Sequence, residues 1–247
     1  MTIDALTDCI TYAYIDEPPF GYLGPAGEAE GYDIDIARYV ASEMGFDAFK
    51  AQMVSFGELA EGVSANRWMI NTAMFTTAER SKVVSFSRPI WRLKDGFAMR
   101  REDGLDIENY EDLALRKNLR VGAVRGNVQV QLALEAGLNP ANLTLFKTQA
   151  EVFDQIMNNN IDVYPGAALA HRRFISRAGL TGLENRSVAR DELPGGQAFG
   201  AFSFNKEAVG FASAFDDKLD AFLGSKEHRA IAGRHGLDDW EALLAPA

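Results

Sequence analysis

The chain has 247 residues, 47% hydrophobic and 24% charged, the balance of a soluble globular protein with ample core, and the length fits one large domain or two of ordinary size. A formal net charge of −10 repels phosphate backbones and anionic lipid, and no Lys/Arg cluster overrides it locally, so nucleic-acid and membrane-surface roles are disfavoured. No apolar run approaches the roughly 18 residues of a membrane span.

Met1-Thr2-Ile3-Asp4 is polar and does not read as a secretory signal, which fits either a cytoplasmic chain or a mature exported one. Cys9 is the sole cysteine, so an internal disulfide is excluded; a buried thiol is expected there. His171, His228 and His235 lack metal-ligand spacing, and no metal site or cofactor motif is expected.

Cys9 to Ile15 reads as a short strand, ended by the rigid loop Asp16-Glu17-Pro18-Pro19-Phe20-Gly21. Such a loop holds Glu17 and Phe20 at a strand end, where open α/β sheets bind ligands; Phe20 also fits ordinary core packing. Glu30-Gly31-Tyr32-Asp33 opens a helix with Ile36, Tyr39, Val40 and Met44 near helical spacing, closed by Gly45. A strand near 49–54 follows, then Ser55 as a cap for the next helix, with Phe56 at the strand-to-helix turn.

The stretch from Met74 to Pro89 places Arg80 on a loop after Thr76 and Thr77. An arginine so held offers a planar fork matched to a carboxylate; spacing alone favours a solvated surface arginine over that clamp. The polar link between Trp91 and Phe97 is a candidate crossing between lobes, and the charged run from Arg100 to Asp112 reads as loop.

Beyond it, a strand at 118–124, Gly126 and a helix at 128–136 make a strand-glycine-helix unit whose first N–H groups suit an anion. It is no dinucleotide fingerprint, because the glycine pattern and the downstream acid are missing. A strand at 143–146, a helix at 150–158 and a strand at 160–164 come next. Pro194-Gly195-Gly196-Gln197 marks a second crossing before a strand at 199–205. Phe211, Phe215, Leu219 and Phe222 form a core-facing helical stripe, and 237–244 reads as a last helix.

Thr77, Glu79, Arg80, Lys82, Val84, Phe86, Ser87 and Pro89 match the Ser/Thr-x-Thr-x-Glu-Arg then Lys-x-Val-x-Phe-Ser-x-Pro segment of the polar amino-acid solute-binding proteins of ABC importers. The Glu30–Asp35 opening, Val121-Gly122-Ala123-Val124-Arg125-Gly126-Asn127 and Asn160–Tyr164 resemble further motifs of that family, from Tyr12 to about Leu223. Asn66-Arg67-Trp68 departs from its Gly-x-x-Asp.

The resemblance implies a type II periplasmic-binding-protein fold of class α/β: two lobes, each a mixed sheet flanked by helices, joined by two hinge strands. Lobe one takes residues 1–93 and 199–247, and lobe two takes 94–198. It also implies a periplasmic, monomeric protein whose secretory signal has been removed, serving an ABC permease, without catalysis or cofactor. The implied ligand contacts are Glu17, Phe20, Phe56, Phe75, Thr77, Arg80, Gly126, Asn127, Val128 and Gln197, closing by hinge motion on a small-molecule carboxylate in the interlobe cleft.

Two departures bear on the ligand. Phe75 stands where the family has Ser or Thr, and Ala167 where amino-acid binders carry an Asp for the α-ammonium. With Glu17 as the remaining acid and Phe20, Phe56 and Phe75 as aromatic walls, the constellation resembles the ectoine-binding branch. Ectoines lead, followed by proline-betaine-like and pyrrole-carboxylate-like acids. Ordinary polar or opine-type amino acids, a cyclohexadienyl dehydratase-like enzyme with Glu17 as general acid, and a receptor's sensor domain stay open.

Overall fold

The computed structural model describes residues 9–188, 192–193, 196–197 and 199–237; the side chain of Gln197 and the expected helix at 237–244, past Leu237, lie outside the described residues. The chain divides into two compact units, one within Met1–Arg92 and Gly195–Ala247, the other within Leu93–Pro194.

In the first unit the strands Ala48–Met53, Cys9–Tyr14, Ile70–Phe75, Phe199–Asn205 and Val84–Phe86 lie side by side in that order, with Trp91–Arg92 also paired to Phe199–Asn205. The first three run parallel, and Phe199–Asn205 runs antiparallel to Ile70–Phe75. The helix Tyr32–Glu43 covers the sheet with Ile34, Ile36, Ala37, Val40 and Ala41, all buried. It begins at Gly31, whose φ of 145° is closed to most side chains and whose added Cβ would lie 2.2 Å from Phe20 O.

The helix Val209–Phe222 presents the expected stripe of Phe211, Phe215, Leu219 and Phe222. Phe215 packs its ring against Phe202 and Phe204 at 5.5 and 5.2 Å, and burying a side chain of this size stabilises the unit by about 1.5–3 kcal/mol. Cys9 is only half-buried, which corrects the expected buried thiol: it is the first residue of its strand.

In the second unit the order is Leu143–Phe146, Val121–Val124, Val163–Ala167, Asp95–Arg100 and Leu183–Val188. The Asp95–Arg100 strand, one in from the Leu183–Val188 edge, is buried along its whole length, where a polar link and then a charged loop are expected from sequence. Its two charged ends are buried because each is satisfied. Asp95 accepts from Tyr110 Oη at 2.8 Å and Gln129 Nε2 at 2.7 Å. Arg100 donates to Ile156 O and Ile161 O, both at 2.7 Å, and pairs with Asp162 at 3.0 Å. The run from Arg100 to Asp112 likewise holds a short 3-10 turn at Arg101–Asp103 and the helix Tyr110–Leu115. The strand expected at 160–164 begins later, at Val163, because Asp162 is engaged by Arg100 and Arg120.

Candidate ligand-binding site

Arg80 sits not on an open loop but within the short helix Ala78–Ser81, capped by Thr77, whose Oγ1 accepts from Arg80 N at 3.2 Å. This corrects the loop expectation. Thr77 makes the turn helical by satisfying an N–H that one turn of helix leaves open. From there the guanidinium folds back over the preceding strand: Nη1 donates to Phe75 O at 2.7 Å, and Cζ lies 5.0 Å from the centre of the Phe56 ring. Removal from water pushes the guanidinium down to about 10, so it stays charged at neutral pH.

Phe56, at the turn into the helix Glu58–Ser64, packs on Ala13, Leu59, Val63, Trp68, Met74 and Val84. The ring thus packs against this core cluster while Arg80 lies over it. Ser55 reaches forward rather than capping with its own oxygen: its N–H and Oγ–H both donate to Glu58 Oε2, at 2.9 and 2.6 Å.

Phe20 and Phe75 are nearly buried, at 4% and 8% exposed. Both lean on Trp91, with ring centres 5.5 and 5.2 Å from the indole. The indole Nε1–H donates to Asp33 Oδ1 at 3.3 Å; Asp33 Oδ2 accepts from Thr72 Oγ1 at 3.0 Å and Ala73 N at 3.1 Å. Trp91 and Asp33 are supporting residues that sequence reasoning missed. The signal available was an acid inside the otherwise apolar Tyr32-Asp33-Ile34 turn, where a buried carboxylate needs donors from elsewhere.

Glu17 is held by its backbone: its N–H donates to Gly21 O at 2.8 Å, and Phe20 N donates to Glu17 O at 2.9 Å. The loop is anchored to the first helix by Tyr32 N to Pro19 O at 2.8 Å and Asp33 N to Phe20 O at 3.1 Å. Desolvation, then the charge of Asp16, pushes the Glu17 carboxyl up to about 7. Burial pushes Asp33 up to about 8 against the pull of its three donors, with Glu17 adding to the rise. Two acids near this aromatic cluster thus change charge close to neutrality.

In the second unit, Val121–Val124 leads through Gly126, at φ 89°, to Asn127, the N-cap residue of the helix Val128–Glu135. The Asn127 side chain makes no cap bond, and its Oδ1 is buried without a partner among the described residues. These residues stand at a helix start, the strand-glycine-helix unit that the sequence predicts. Ala167 ends the Val163–Ala167 strand and opens the helix Ala168–Arg177, opposite Asp95 in the antiparallel register. Among the described residues no group of His, Cys, Asp and Glu could hold a metal ion, and no helix is long and apolar enough to cross a membrane.

Two α/β units of this kind, each with a mixed sheet, are the fold of the type II periplasmic binding proteins. EhuB in complex with hydroxyectoine resembles this chain with a TM-score of 0.84 at 26% identity, over 95% of this chain and 91% of that one. More narrowly, the chain belongs to the bacterial extracellular solute-binding proteins, family 3, whose model matches residues 10–237. A probable amino-acid ABC transporter periplasmic-binding protein of Sinorhizobium fredii is 27% identical over 92% of this chain and 76% of its own length. The octopine-binding periplasmic protein of Rhizobium meliloti is 25% identical over 78% of this chain and 69% of its own. The family read from the Thr77–Pro89 segment is thus the family found, and EhuB, named with hydroxyectoine, is among the similar structures.

Proposed function

We propose that this chain is the periplasmic solute-binding protein of an ABC importer, and that it captures a small cyclic carboxylate bearing a ring nitrogen, with ectoines first and proline-betaine-like or pyrrole-carboxylate-like acids after them. The observation that carries this reading is the guanidinium of Arg80 laid on the Phe56 ring at 5.0 Å, in the unit that also gathers Phe20 and Phe75 around one indole. Arg80 is assigned the ligand carboxylate, Thr77 the support of its turn, Glu17 the ring cation, and Phe20, Phe56 and Phe75 the apolar ring faces. The Gly126–Val128 turn is assigned a backbone contact to an anion, and Gln197 a further polar contact. The hydroxyectoine named with EhuB supports the ring ligand.

An opine or ordinary amino acid is the second reading, supported by the names of the two curated relatives and by Glu17 as an acid able to meet an ammonium. Binding to a permease follows from the importer role.

A thermal-shift panel tests the assignment. It holds ectoine, hydroxyectoine, proline betaine, pyrrole-2-carboxylate, octopine, the common amino acids and prephenate. A ligand at 100 times its Kd stabilises the folded chain by about 2.7 kcal/mol, a clear rise in Tm. Ring carboxylates are expected to give the largest rise. An acyclic amino acid giving the largest rise, with no response to any ring compound, overturns the ring assignment; consumption of prephenate makes the protein an enzyme.

A further inference from the structure

Phe75, Gly200 and Trp91 stand in one row across three neighbouring strands. Gly200 is the register partner of Phe75 on one side and of Trp91 on the other. Residues directly opposite in antiparallel pairs project to the same face, so Phe75 and Trp91 flank a position that has no side chain. The indole occupies that position: a Cβ built on Gly200 would lie 2.1 to 2.2 Å from three carbons of the Trp91 ring. Lying across the glycine, the indole meets Phe75 edge-on, with an interplanar angle of 85°, and Phe20 at 38°.

Its far edge is fixed by Asp33. That residue acts at two points, since its carboxylate takes the indole N–H while its backbone N–H donates to Phe20 O at 3.1 Å. Both carboxylate oxygens face donors: Trp91 Nε1 on one side, Ala73 N and Thr72 Oγ1 on the other. An amide there would turn its NH2 toward one of two fixed N–H groups, so the position calls for a carboxyl group.

We propose that Trp91 is a positioning residue that sets the separation of the Phe20 and Phe75 rings, and through it the size of ligand the site accepts, with Gly200 and Asp33 holding the indole in place. At 3% exposure Trp91 acts through the two rings. The proposal rests on the reading of Phe20 and Phe75 as ligand walls.

Gly200→Ala pushes the indole off its seat, Trp91→Phe removes its bond to Asp33 and narrows the ring, and Phe204→Leu loosens the core beneath Val209–Phe222 as a control. Calorimetry on the whole chain gives the Kd of each compound in the panel above for each variant, with circular dichroism and unligated Tm as checks of folding. Gly200→Ala and Trp91→Phe are expected to change the Kd ratio between the largest and smallest ligands bound by about tenfold or more, the scale at which a small change in an apolar pocket discriminates. Phe204→Leu is expected to lower Tm and leave that ratio unchanged.

An unchanged ratio in whichever of Gly200→Ala and Trp91→Phe folds overturns the proposal, as does an equal change in Phe204→Leu. Should wild type bind acyclic amino acids alone, the ring-ligand assignment falls by itself. The same ratio between a short and a long amino acid then decides the role of Trp91.

Discussion

Glu17 offers the sharpest test of how the site recognises charge. Its carboxyl changes state at about 7, raised first by desolvation and then by Asp16, so about one-tenth of the molecules carry the charge at pH 6 and about nine-tenths at pH 8. A ligand whose cation needs the ionised form pays for the protonated fraction, and its apparent Kd scales inversely with the competent fraction. For a ring-cation ligand, Kd is therefore expected to tighten about tenfold from pH 6 to pH 8, with a proton released on binding. Asp33 shares the same field, since each of the two acids raises the cost of the other's charge; the pair then titrates in two steps and the change broadens upward toward about 8. Glu17→Gln removes the titrating group, so its Kd should be weak and flat over the same range. Calorimetry at pH 6, 7 and 8, in two buffers of different ionisation enthalpy, measures both affinity and protons released. A flat Kd in wild type, or an equal slope in Glu17→Gln, refutes the role of Glu17.

Arg80→Ala should weaken a carboxylate ligand by about 2–5 kcal/mol, because the ligand loses a charge-assisted fork, and a Kd near wild type in calorimetry would remove Arg80 from the site; Arg80→Lys should also bind poorly, since an ammonium cannot reproduce the fork. Thr77→Ala should cost about 1 kcal/mol of unligated stability in urea denaturation, by uncapping Ala78–Ser81, and should weaken ligand binding with it.

Unligated stability should also respond to pH in two regimes. Glu17 and Asp33 have folded values raised from 4.5 to about 7 and from 3.8 to about 8, so their contribution is full below about 4 and is lost as pH rises through 7 and 8. His171 and His228, lowered by burial from 6.5 to about 4, work the other way between about 4 and 6.5. Urea midpoints should therefore change little from pH 4.5 to 6.5 and fall from 6.5 to 8.5; a midpoint that rises over the upper range contradicts the two buried acids.

How much of this was legible depended on how locally each feature is encoded. The Arg80 turn is written in consecutive residues, from Thr77 as cap to Pro89 as terminator, so its family and its arginine could be read directly. The strand-glycine-helix turn at Gly126 is equally local. Trp91, Asp33 and Gly200 could not be found that way, because they meet only through sheet pairing and a side-chain bond across 58 positions of sequence. The Asp95–Arg100 strand was misread for a related reason. A charged residue at each end looks like solvent-facing chain until the distant groups that satisfy it, Gln129 for Asp95 and Asp162 for Arg100, are in place.

The strand Phe199–Asn205 lies inside the first unit's sheet, paired to Ile70–Phe75 on one side and to Val84–Phe86 and Trp91–Arg92 on the other. During synthesis, then, residues up to 92 emerge with the Ile70–Phe75 strand paired to Cys9–Tyr14 on one side only, the N–H and C=O groups of its other edge open to another chain. The pairing of Phe75 with Gly200 closes a loop of more than a hundred residues, which makes completion of this sheet a late, slow event of high contact order. Chains stopped before Phe199 should therefore associate through that open edge, and pulse-labelling hydrogen exchange during refolding should show amides of Ile70–Phe75 protected only together with those of Phe199–Asn205.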